Sequence, residues 1–103
     1  MKRMLVRYKT KPESADENQR LIENVFAELR AKVPAGVHYA VLRLPDGSFI
    51  HFAETADGAP SLPSFAAFQA FQSGIRQRCS EPPQPAEPIV VGNYRMLPER
   101  TAA

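Results

Sequence analysis

A chain of 103 residues is one small domain, able to hide only about 60 to 70% of its unfolded surface, and 44% hydrophobic with 23% charged content excludes a disordered polymer. A net charge of +2, from basic residues scattered among 11 acids, excludes the clustered stripe of a nucleic-acid footprint. The lone Cys79 excludes an intrachain disulfide and a cysteine-based metal site. No stretch approaches a signal-peptide core or the roughly 20 apolar residues of a membrane span, so no membrane association and a cytoplasmic location are expected.

Residues 2–9 alternate Met4, Val6 and Tyr8 with Arg3, Leu5, Arg7 and Lys9, the period of a first strand. Pro12 suits a first helical turn, and the spacing predicts a helix over 13–32. Leu21, Ile22, Val25, Phe26, Leu29 and Val33 form its single apolar face. Acids early and bases late agree with the helix dipole. Pro34 and Gly36 end it.

Residues 37–44 and 48–54 are β-branched and aromatic runs flanking Pro45-Asp46-Gly47, which predicts a hairpin whose type I turn closes on a glycine bulge. In that register Leu42 meets Ile50, Ala40 meets Phe52 and His38 meets Glu54 on one face, the face expected to pack under the helices. Arg43 meets Phe49, Val41 meets His51 and Tyr39 meets Ala53 on the other, expected to look toward a partner or ligand.

After a polar loop, a second helix is predicted over 62–78 with Phe65, Phe68, Phe71 and Ile75 in the core and Gly74 weakening its last turn. Residues 80–88, with four prolines, read as an extended connection excluded from any ladder. Residues 89–96, IVVGNYRM, read as the fourth strand. The domain runs over 1–97, and 98–103 is a frayed tail.

Strand, helix, strand, strand, helix, strand is the α+β, ferredoxin-like βαββαβ order: a four-stranded antiparallel sheet with strands one and three central and two helices on one face. The uncovered face would expose Leu5, Tyr39, Val41, Phe49, Ile89 and Val91 to water, so two sheets packed face to face in a homodimer are expected.

The run Pro34-Ala35-Gly36-Val37-His38-Tyr39, the hairpin ending Phe49 to Glu54 and the helix after it resemble the antibiotic biosynthesis monooxygenase-like (ABM) group of the dimeric α+β barrel superfamily. The resemblance implies a dimer with a ligand pocket and, for several members, oxidation of quinols or polyaromatic substrates by oxygen without metal or flavin. It therefore implies no cofactor here. The group commonly carries a tryptophan near the end of the third strand and a histidine early in the second helix; this chain has no tryptophan and opens that helix Leu62-Pro63-Ser64-Phe65.

The two histidines, His38 and His51, point to opposite faces of the hairpin, which disfavours a metal pair within one chain. His51 with Tyr39 and Arg43 forms the best candidate catalytic set: a neutral imidazole to take a proton from a phenolic substrate, an arginine to hold the oxyanion. Arg7, Phe49 and Asn93 are candidate ligand contacts. Two readings follow. One is a cofactor-independent monooxygenase of a small aromatic or quinol substrate; the other is a non-catalytic, dimeric small-ligand-binding or accessory protein of the same fold.

Overall fold

Each run of alternating residues finds a sheet neighbour in the computed structural model, which describes residues 1–98. β1 is Lys2–Thr10, α1 Ala15–Lys32, β2 Val37–Arg43, β3 Ser48–Thr55, α2 Ala66–Gln72, α3 Ile75–Arg78 and β4 Cys79–Ala86. The four strands form one antiparallel sheet in the order β2-β3-β1-β4. The helices cover one face, where Tyr8, Ile22, Val25, Phe49 and Phe71 make the buried core. This is the expected ferredoxin-like arrangement. The tail reading over 98–103 lies, apart from Pro98, outside the described residues.

The hairpin closes as its loop chemistry requires. Leu44 N–H donates to Ser48 O at 2.8 Å and Gly47 N–H to Leu44 O at 3.1 Å, while the Asp46 carboxylate accepts from Ser48 N–H at 2.9 Å. Gly47 takes φ +89°, a conformation that disfavours any side chain. The register follows: Leu42 pairs with Ile50, Val41 with His51 and Tyr39 with Ala53.

The faces of that hairpin are the reverse of the expectation. Tyr39 and Val41 pack on the helix-side core with Phe49, and His51 is buried there too. Ala40 and Leu42 are exposed on the other side, Leu42 by 61%. Both alternating sets are apolar, so hydropathy alone left the choice open, and the polar atoms of Tyr39 and His51 are satisfied inside by each other. The outer face keeps Leu5, correctly placed, and gains Ala40, Leu42, Ile50 and Phe52. Beside them Arg3 Nε donates to the buried Glu54 carboxylate at 3.0 Å.

The predicted second helix is broken into three pieces. Leu62–Ser64 is a single 3-10 turn, α2 stops at Gln72, and Gly74, at φ +79°, starts α3. The break is held by Arg78, whose guanidinium folds back over the end of α2 and donates to Phe71 O at 2.6 Å and Ser73 O at 3.1 Å. Those carbonyls have no partner within the helix. At the other end of α2, Glu28 of α1 accepts from Ala67 N–H at 2.8 Å. Its carboxyl is held below the usual range by Lys32 first and by that backbone bond second.

The fourth strand is also displaced. It is the proline-rich stretch, not residues 89–96: β4 pairs with β1 from Thr10 opposite Cys79 to Leu5 opposite Ala86, with shifts of register on either side of Lys9. Pro82 and Pro83 fall within the shift between Gln84 and Glu81, and β4 is an edge strand, where missing N–H donors are tolerated. Beyond it Ile89 and Val91 are almost wholly exposed, at 88% and 98%. No helix among the described residues is long and apolar enough to cross a membrane.

Candidate functional site

Four elements aim polar groups at one point beneath α2. β1 supplies Tyr8, β2 Tyr39, β3 His51 and α1 Asn18, all turned inward by the alternation of their strands or by the apolar stripe of the helix. His51 stands between two phenols, its Nε2 2.8 Å from Tyr8 Oη and its Nδ1 2.5 Å from Tyr39 Oη. Behind Tyr8 lies Asn18, which is fully buried and donates from Nδ2 to Tyr8 Oη at 2.8 Å. Asn18 Oδ1 in turn accepts from Arg78 Nε at 3.0 Å.

Aromatic packing fixes these rings. Tyr8 stacks on Phe49 at 5.6 Å, Tyr39 on Phe26 at 5.0 Å, and Phe71 lies 5.2 Å from the His51 ring. Burial pushes the His51 pKa down to about 4, so the imidazole is neutral at physiological pH. Burial pushes both phenols well up; for Tyr8 the bond from Asn18 opposes that rise without cancelling it. Both tyrosines therefore stay protonated.

The assembly forms one wall of a cavity of about 370 Å³. The rest of the lining is largely apolar, with Met4 and Val6 of β1, Ala53 of β3, Phe68 and Phe71 of α2, Ile75 of α3 and Pro83 and Pro85 of β4. Lys2, Thr55, Ser61 and Gln72 add polar groups to it. Apolar walls with a few convergent polar groups, in the ordinary size range for small-molecule sites, are the properties of a ligand cavity. Among the described residues no group of three or more His, Cys, Asp or Glu side chains is gathered to hold a metal ion.

Of the residues singled out from sequence, Tyr39 and His51 are brought together on this cavity. Arg43 is not: it lies at the end of β2, donating to Asp16 at 3.1 Å and Gln19 at 2.6 Å. Phe49 is buried beneath Tyr8. Arg7 borders a small separate recess with Lys9, Ser48 and Glu81. Asn93 closes a local turn, accepting from Leu97 N–H at 2.9 Å and donating to Leu97 O at 3.0 Å. Tyr8, Asn18 and Arg78 were missed. Asn18 had a signal, since it sits four residues before Ile22 and seven before Val25 on the buried stripe of α1.

No family model and no curated protein matches the sequence. Solved structures do match in three dimensions. A candidate antibiotic biosynthesis monooxygenase from Nitrosomonas europaea superposes with a TM-score of 0.70 at 13% identity, covering 89% of this chain and 100% of that one. A structure named as an antibiotic biosynthesis monooxygenase gives 0.63 at 15%, covering 89% and 100%. Rv0793 from Mycobacterium tuberculosis gives 0.68 at 11%, covering 88% and 95%. The chain is thus ABM-like in fold over nearly the whole length of these proteins.

Proposed function

We propose that the chain binds a small aromatic molecule in the cavity beneath α2 and oxidises it with dioxygen as a cofactor-independent monooxygenase. The observation that carries this reading is the His51 imidazole, clasped at both nitrogens by Tyr8 and Tyr39 on the wall of a largely apolar cavity. With a phenolic substrate the balance is simple. One oxygen atom of dioxygen becomes the second carbonyl of a quinone, and the other leaves as water with the ring hydrogen and the hydroxyl hydrogen. The protein's part is to hold the ring between Phe68, Phe71 and Met4, exclude water, and meet the substrate oxygen with the Tyr39 hydroxyl, where charge develops.

The second reading, a non-catalytic ligand-binding protein, has its own support. Both ring nitrogens of His51 are engaged by the phenols of Tyr8 and Tyr39, and with a pKa of about 4 it is a weak general base. Oxygen uptake with a panel of naphthols and quinols separates the two. Turnover that falls at least about tenfold in Tyr39→Phe and His51→Ala supports the monooxygenase. Binding without turnover supports the second reading.

The proposal includes a homodimer. The sheet face away from the helices carries Leu5, Ala40, Leu42, Ile50 and Phe52; no helix among the described residues covers it, and the chain's own segment 95–98 only borders a recess beside His38, Ala40 and Phe52. A second copy of the same face is the occupant that fits, with the exposed Ile89 and Val91 of each chain available to the other.

A further inference from the structure

The order of donors and acceptors along the buried chain from Arg78 to Tyr39 is fixed at one end. An arginine guanidinium only donates, so the atom of Asn18 that faces Arg78 Nε at 3.0 Å is its oxygen, and the atom 2.8 Å from Tyr8 Oη is its amide nitrogen, a donor. Tyr8 Oη thus accepts from Asn18 and keeps one proton to give. Its other partner is His51 Nε2, at 2.8 Å; Tyr8 also borders the cavity but is only 3% exposed, where Tyr39 is half-buried, and a buried hydroxyl proton without an acceptor is unfavourable. Tyr8 therefore donates to Nε2. A neutral imidazole carries one N–H, which places it on Nδ1, donating to Tyr39 Oη at 2.5 Å. The Tyr39 proton is left to the cavity that Tyr39 lines.

We propose that Asn18 and Arg78 are positioning residues that set the His51 tautomer to Nδ1–H, making Tyr39 a hydrogen-bond donor into the cavity, and that the occupant is an aromatic molecule presenting a carbonyl or phenolate oxygen to it. The ligand part rests on the reading of the cavity given above; the hydrogen-bond order does not. Nothing in the sequence motifs points to this arrangement, because its links join residues 10, 43 and 60 positions apart.

The tautomer is read directly from long-range proton–nitrogen correlation spectra of the full chain labelled with ¹⁵N-histidine, with a His38→Gln variant to assign the two rings. The expected result is a protonated Nδ1 and a bare Nε2 on His51; a protonated Nε2 overturns the proposed order. Asn18→Asp offers Tyr8 an acceptor where it had a donor, so the Tyr8 proton turns to the new carboxylate and the imidazole proton moves to Nε2. A folded Asn18→Asp protein that keeps Nδ1–H overturns the positioning role, as does Asn18→Gln if it fails to retain the parent tautomer. For the ligand, 1-tetralone and tetralin share a shape and differ by one acceptor oxygen. Tetralone is expected to bind about tenfold tighter, and Tyr39→Phe to bring the pair within about twofold. Equal binding to the parent protein overturns the donor role of Tyr39. Binding of neither overturns the ligand part and the cavity reading with it, while the spectra judge the hydrogen-bond order on their own.

Discussion

His51 is a titratable group folded into a place that accommodates only its neutral form. Its ordinary pKa near 6.5 falls to about 4 on burial, so between those values the unfolded chain takes up a proton that the folded chain refuses. Stability therefore rises with pH across that window, and the contribution is fully present above about pH 6.5 and lost as pH falls toward 4. The difference amounts to about 3 kcal/mol. Urea unfolding of the parent and of His51→Gln at pH 7 and pH 4.5 measures it: the parent is expected to lose about 2 to 3 kcal/mol more than the variant, and parallel losses would refute the burial account. Arg78 makes the complementary case. It joins α1, α2 and α3 through three donated bonds, and lysine lacks the planar fork to make them together. Arg78→Lys is expected to cost about 2 to 4 kcal/mol in the same measurement.

Element boundaries in this chain are decided by left-handed residues, two of which make opposite predictions. Gly74 begins α3 at φ +79°, and a Cβ there would meet only ordinary contacts, so Gly74→Ala should lose about 1 kcal/mol from backbone strain alone. Val33 ends α1 at φ +46° with its side chain 77% exposed and its N–H donating to Leu29 O at 2.8 Å. A β-branched residue is strained there, so Val33→Gly is expected to raise stability by about 0.5 to 1 kcal/mol and lift the thermal midpoint by a few degrees. The same features show what sequence could reveal. Pro45-Asp46-Gly47 determined the hairpin register because turn geometry is local, and the stripe from Leu21 to Leu29 located α1 because helical burial is periodic. The side of the hairpin facing the helices was not legible, since its answer lies in pairings such as Tyr8 with His51, 43 positions apart. Nor was β4, because prolines read as loop unless the strand is known to lie at an edge.

At the scale of the molecule, the sheet is finished on one side only. A chain this short has a small core of its own, yet it leaves Leu42 61% exposed amid Leu5, Ala40, Ile50 and Phe52, and extends Ile89 and Val91 into solvent. Its radius of gyration of 14.3 Å exceeds the roughly 13 Å of a compact chain of this length, in keeping with an arm, the segment after β4, whose Ile89 and Val91 stand away from the core. If two outer faces pack together, light scattering at micromolar concentration should give twice the mass of one chain. Leu42→Lys then tests the face: the residue is exposed within one chain, so the substitution should spare the fold while placing a charge in an apolar interface, weakening association at least about tenfold. Ending the chain after Pro88 tests the arm separately, and should weaken the dimer without changing the signal of His51 between its tyrosines. A parent protein with the mass of one chain would sink the dimer and leave the exposed face unexplained. A dimer indifferent to Leu42→Lys would move the interface off this face and onto the arm.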